Sequence, residues 1–201
     1  VSPEVICKLM TDQKPLPEKL AFSRDLFVLL FLLRGMPFVD LAFLRRCDLQ
    51  GNVITYHRRK TSRKLTVVVG KEAMEIIRRY MYAIPDSPYL FPIIQNPGEN
   101  EYGQYTRMLR LLNHRLTQVA NTLGIRERLS TYVARHTWAT TALRQNYNSS
   151  LICNAMGHSS VKVTETYFQP YRDDEVNRMN RSLITYILSK KKRGIDKNIR
   201  S

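Results

Sequence analysis

Two stretches decide how this chain is read. One is Ala134-Arg135-His136-Thr137-Trp138-Ala139-Thr140; the other is Met156-Gly157-His158-Ser159-Ser160-Val161-Lys162-Val163-Thr164-Glu165-Thr166-Tyr167. Short helices are expected over residues 131–146 and 149–156, so Arg135 falls on a helix and Gly157-His158 on the turn that closes the next one. The side chains on offer are an arginine, a histidine and a tyrosine. That combination suits one kind of chemistry. Breaking a phosphodiester with a side-chain oxygen makes a covalent intermediate. A tyrosine hydroxyl has an unperturbed pKa of about 10, so cationic neighbours must help it ionise. Negative charge spreads over the phosphoryl oxygens in the transition state, and planar arginine forks can clamp it. The departing sugar oxygen needs a proton donor, which a lysine or histidine supplies.

Composition agrees with a phosphate-rich partner. The 201 residues carry 32 Lys and Arg against 17 Asp and Glu, a formal net charge of +15. Such an excess favours nucleic acid or an anionic membrane surface. The longest apolar run, residues 26–33, is far short of the roughly 20 residues that a membrane span needs. The N-terminus reads without a secretory leader. Cys7, Cys47 and Cys153 are odd in number and widely spaced, which suits a reduced, cytoplasmic setting better than a disulfide framework. His57, His114, His136 and His158 show no metal-ligand spacing, and no metal or other cofactor is expected.

Working outward, residues 1–20 hold Pro3, Pro15 and Pro17 and read as a linker or loose lead-in. Ser23 is expected to cap a buried helix running to about Leu33, with Gly35 at its C-cap and Pro37 in the first turn of the next helix. Residues 53–60 and 65–69 read as two strands around a turn at 61–64. Helices are expected from Ala73 to Ile84, and from Tyr105 to Leu123 with Gly124 as the stop. A last helix is expected over residues 173–188, with Val176, Met179, Leu183 and Ile187 on one face, followed by the basic tail Lys190-Lys191-Lys192-Arg193. The fold class is therefore mostly α with a small antiparallel β-sheet (α+β), with residues 21–201 as one domain.

The two opening stretches resemble the second half of a tyrosine recombinase active site, that of the phage integrase family. The resemblance covers nearly the whole chain after about residue 20. It implies the catalytic-domain fold of that family, with an N-terminal core-binding domain missing from this fragment. It also implies site roles. Tyr167 resembles the nucleophile, Arg135 the second arginine, and His158 the third basic ligand of the phosphate. Lys60 resembles the hairpin lysine that protonates the leaving 5′ oxygen. Asp40 resembles the acidic residue that orients the network. Two positions depart from the pattern. Tyr132 stands where the family usually has a histidine, three residues before Arg135, and Pro37 stands where the first arginine belongs. Arg34 and Arg58 are the substitutes at hand, Arg34 placed first. A similar Arg-Gly-Met-x-Phe-Val-Asp stretch occurs in relatives resembling those of Bacteroidetes mobile elements. On a strand, Arg58 and Lys60 would share one face with Ile54 and Tyr56.

The function implied is site-specific recombination or integration of double-stranded DNA through a 3′-phosphotyrosyl intermediate, with Arg34, Arg58, Lys60, Arg135 and His158 contacting DNA. Self-association into a tetramer on DNA follows from the resemblance, as does action in the bacterial cytoplasm at the nucleoid. Each residue also has a duller reading: Tyr167 as a buried helix tyrosine, Arg135 as a solvated helix arginine, His158 as a turn histidine, and His57-Arg58-Arg59-Lys60 as a basic strand end touching phosphates. Two rival functions stand beside the recombinase. One is a catalytically impaired DNA-binding relative; the other is a type IB topoisomerase-like enzyme.

Overall fold

The apolar run at residues 26–33 builds the centre of the molecule. In a computed structural model, which describes residues 1–158 together with Asn180, that run belongs to a helix over Glu18–Leu32. Its Leu26, Phe27, Leu29 and Leu30 have no solvent exposure. A helix that is apolar on most sides must be covered on most sides, and this one packs against four other helices. Pro17, which lacks an N–H, precedes its first turn. Ser23 is therefore not a cap. It lies buried inside the helix and donates its hydroxyl to the Lys19 carbonyl at 2.9 Å.

The described residues belong to the first of two units into which the chain divides, Val1–Tyr167 and Phe168–Ser201, apart from Asn180, which is helical and exposed. Their order is α1 (Pro3–Thr11), α2 (Glu18–Leu32), α3 (Phe38–Ala42), a single 3-10 turn (Arg46–Asp48), β1 (Leu49–Gln50), β2 (Val53–His57), β3 (Lys64–Val68), α4 (Lys71–Tyr80), α5 (Glu101–Thr122), α6 (Thr131–Arg144) and α7 (Ser149–Met156). The mostly helical class with a small antiparallel sheet is what the pattern predicts. The three strands lie in the order β1-β2-β3, and Ile54 pairs with Val67 and Tyr56 with Leu65. No described helix is long and apolar enough to cross a membrane.

Other boundaries differ from expectation too, each for a local reason. The lead-in reading of residues 1–20 is corrected for residues 3–11. They form α1, whose Ile6 and Leu9 are buried in the common core. Pro3 sits in the first turn of α1, where its missing N–H costs nothing. β2 ends at His57 rather than at Lys60, because residues 58–63 fold over as a connection closed by Arg58 N–H to the Arg63 carbonyl at 2.9 Å. α4 stops at Tyr80 rather than at Ile84. The Arg46 guanidinium takes the Ile84 and Pro85 carbonyls instead, the latter at 2.7 Å.

The other helices follow their caps. Asn100 accepts from Gly103 N–H at 3.1 Å and starts α5 four residues before Tyr105. Leu112, Leu116 and Val119 then face the core with no exposure. Ser130 accepts from Val133 N–H at 3.3 Å to start α6, and Asn148 from Ser150 N–H at 2.7 Å to start α7. Gly157, at φ 65°, closes α7 in the left-handed conformation that glycine adopts without strain. The helix expected over 173–188 and the basic tail lie outside the described residues, as do Ser159, Ser160 and Tyr167.

Candidate active site

Four elements bring the site together: α3, the β2–β3 connection, α6 and the end of α7. α3 contributes Asp40, which is 3% exposed. Its Oδ2 accepts from Arg58 Nε at 3.2 Å and its Oδ1 from the Arg59 N–H at 3.0 Å. Burial raises the Asp40 pKa, while the Arg59 N–H and the Arg58 charge pull against that rise.

Arg58 is 6% exposed. It continues the inward face of Ile54 and Tyr56 one step beyond the strand, as alternation predicts. Its Nη1 donates to the Met156 carbonyl at 2.9 Å and to the Gly157 carbonyl at 3.0 Å. Arg135, on α6, is 7% exposed and reaches the same place from the other side. Its Nη2 donates to the Met156 carbonyl at 3.1 Å, and its Nη1 to the Gly35 carbonyl. Two guanidinium groups thus share the last carbonyl of α7. The final carbonyls of a helix lack intrahelical donors and carry partial negative charge, so they are natural seats for arginines.

His158 completes the cluster at 6% exposure. Arg135 Nη2 lies 2.6 Å from its Nε2. A guanidinium only donates, so Nε2 is the acceptor and the ring is neutral with its proton on Nδ1. Burial, with the charges of Arg135, Arg58 and Lys60, lowers its pKa to about 4. Lys60 sits exposed in the turn after β2 rather than on the strand face shared by Ile54 and Tyr56.

Two glycines make the close approach possible. A Cβ on Gly35, at φ 64°, would lie 3.2 Å from Arg135 Cα. One on Gly157 would lie 2.6 Å from Arg58 Cδ and 2.7 Å from Leu65 Cδ1. Arg34, by contrast, turns away from this cluster. It adopts φ 60° at the end of α2 and donates to the Thr66 carbonyl at 3.2 Å. It also lines a separate apolar cavity of about 510 Å³ with Phe31, Trp138, Tyr147, Leu151 and Ile152. Arg34 and Arg58 thus bond different carbonyls, Thr66 for the one and Met156 and Gly157 for the other. Tyr132 lies on α6, 62% exposed as a residue, with its ring stacked on His136 at 6.2 Å between centroids.

Sequence reasoning missed three residues here. Thr61 Oγ1 donates to the Gly157 carbonyl at 3.5 Å. Arg63 donates to the His158 carbonyl at 3.2 Å and to the Asn154 side chain. Arg63 in the run Arg58-Arg59-Lys60-Thr61-Ser62-Arg63-Lys64 looks like any solvated charge, so no local signal separates it from its neighbours. No group of three His, Cys, Asp or Glu among the described residues is placed to hold a metal ion.

The fold recurs in known proteins. The sequence model of the phage integrase family matches residues 1–173. Among solved structures, a XerA recombinase matches with TM-score 0.64 and 19% identity, over 90% of this chain and 62% of that one. The Tn1549 transposon integrase in complex with transposon right end DNA matches with TM-score 0.65 and 14% identity, over 92% and 65%. The XerH site-specific recombinase bound to its difH substrate matches with TM-score 0.63 and 16% identity, over 90% and 52%. This chain spans 52–65% of the length of these three proteins. At such identities the likeness establishes a common fold. A search among curated proteins gave no match. With residues 1–173 under the family model and tyrosine recombinases as structural neighbours, the chain belongs to the phage integrase family and carries its catalytic-domain fold.

Proposed function

We propose that this chain is the catalytic part of a site-specific DNA recombinase that cuts and rejoins DNA through Tyr167. One observation carries the reading: Arg58, Arg135 and His158 converge on the end of α7, with Lys60 beside them. A scissile phosphate entering there offers the two guanidinium groups better acceptors than the Met156 and Gly157 carbonyls, because its oxygens are charged. Tyr167 Oη, its proton released to solvent, then forms a bond to phosphorus while the bond from phosphorus to the 5′ oxygen breaks. Lys60 gives that oxygen its proton. The product is a 3′-phosphotyrosyl link and a free 5′ hydroxyl. Attack by the hydroxyl of a partner strand reverses the step and exchanges strands, so the bond energy is conserved and no ATP is consumed.

In this reading Arg58 takes the role of the arginine missing at Pro37. Asp40 aims it through Nε, which leaves its amino groups for the phosphate. Arg34, facing the Thr66 carbonyl, serves at most as a DNA contact. Retention of two buried arginines and a buried histidine argues against the catalytically impaired relative. Structures of the Tn1549 integrase and of XerH hold DNA, and the +15 charge suits double-stranded DNA here. Assembly into a tetramer on DNA is part of the same proposal. The apolar cavity beside Trp138 and Leu151 offers a seat for the striped segment 173–188 of a neighbouring protomer. Action in the bacterial cytoplasm, at the nucleoid, completes the reading.

The test is a nicked duplex that traps the covalent adduct, followed by peptide mass spectrometry. The nucleotide should sit on Tyr167, and Tyr167→Phe should bind DNA without forming an adduct. An adduct on another residue, or one formed by the phenylalanine variant, would remove Tyr167 from the mechanism.

A further inference from the structure

The β2–β3 connection holds the turn that carries His158 by its backbone. Arg58 takes the Met156 and Gly157 carbonyls, and Thr61 reaches the Gly157 carbonyl. Arg63 reaches one residue further, from Nη1 to the His158 carbonyl at 3.2 Å, while its Nη2 donates to Asn154 Oδ1 on the last turn of α7. The neck of the connection is closed by the bond from Arg58 N–H to the Arg63 carbonyl at 2.9 Å. Gly157, at φ 65°, has no side chain to anchor this turn and an unusually permissive backbone. The turn is held from within by His158 N–H to the Cys153 carbonyl at 3.1 Å, and from outside by Arg135 on α6 and by three donors that lie on one hairpin. Arg63 and Asn154 are both exposed, so their bond is not a by-product of core packing.

We propose that Arg63 is a positioning residue for strand transfer. Through the His158 carbonyl and the Asn154 side chain it fixes the His158 turn to the hairpin that carries Arg58 and Lys60. The inference rests on the recombinase reading. Its physical basis is that a forked guanidinium binds two acceptors at a fixed mutual angle, which a single ammonium does not. Without it, the His158 ring loses its alignment to the phosphate bound by Arg58 and Arg135.

Three variants test this: Arg63→Ala, Arg63→Lys and Asn154→Ala. Each is assayed for single-turnover cleavage of nicked DNA, for the salt dependence of DNA binding, and for the His158 imidazole ¹H–¹⁵N signals of the 201-residue chain. Arg63→Ala should slow cleavage by about 10- to 100-fold, the scale of a misplaced reacting group. The His158 signals should move, and the salt slope should stay unchanged. Asn154→Ala should show a smaller loss of the same kind, and Arg63→Lys should recover part of the rate. Wild-type cleavage with unmoved His158 signals overturns the proposal. A salt slope reduced by about 0.9 with unmoved His158 signals also overturns it, because Arg63 is then a phosphate contact. If the parent protein forms no adduct at all, the recombinase reading fails, while the His158 signals still decide whether Arg63 sets the turn.

Discussion

His158 carries the clearest consequence of the site's electrostatics. In the unfolded chain an imidazole titrates near 6.5; in the folded chain His158 does so at about 4. Above pH 6.5 the ring is neutral in both states and adds no slope. As pH falls from 6.5 towards about 4, the unfolded chain binds a proton that the folded chain refuses, so folding stability is lost. The contribution of one such proton is at most about 1.4 kcal/mol per pH unit. His136 is shifted the same way by burial, and Asp40, raised by burial, works in the opposite direction. The difference between wild type and His158→Gln isolates the one residue. Urea midpoints measured from pH 7.5 to pH 4.5 should fall less in the variant. Parallel curves would place His158 in a solvated setting. That Arg58, Arg135 and His158 come together was legible in the sequence as far as residue type goes, because arginine, lysine and histidine are the types expected around a phosphate. Which arginine joins Arg135 at the end of α7 was not. Arg34 stands next to the glycine turn in sequence, but its guanidinium bonds the Thr66 carbonyl. Alternation along β2 did point Arg58 inward.

At the scale of elements, the hairpin and the α7 terminus form one contact around Gly157. Gly157→Ala combines backbone strain at φ 65° with a Cβ 2.6 Å from Arg58 Cδ. Gly124→Ala has the same strain at φ 64° but open space around the new methyl. The Gly124 variant should cost about 1 kcal/mol, the strain alone. The Gly157 variant should cost more, about 2–4 kcal/mol once overpacking is added, and should also displace Arg58. Chemical denaturation of both variants checks the ordering; equal losses would mean that Arg58 and Leu65 give way freely. Helix interiors here were legible from apolar periodicity, as with Leu112, Leu116 and Val119 on α5. Several ends were not, because they are set by tertiary bonds. Arg46 holds the chain beyond α4 by the Ile84 and Pro85 carbonyls, and core contacts of Ile6 and Leu9 convert a proline-bearing lead-in into α1.

At the scale of the whole molecule, the proposed function and the +15 charge predict action on DNA as an assembly. Removing residues 173–201 should impair multimer formation on target DNA more than it impairs DNA binding, and sedimentation of the complexes reads the difference. Normal assembly by the truncated enzyme would free the groove beside Trp138 from that role. The central claim is that Arg58, and not Arg34, stands in for the arginine absent at Pro37. Single-turnover adduct formation on nicked DNA tests it directly. Loss of one preorganised donor to the transition state typically costs about 10²–10³-fold. Arg58→Ala should fall by that much, while Arg34→Ala should stay within about fivefold of wild type, the loss of an ordinary phosphate contact. Adducts formed by Arg58→Ala at near the wild-type rate, with Arg34→Ala inactive, would contradict the account.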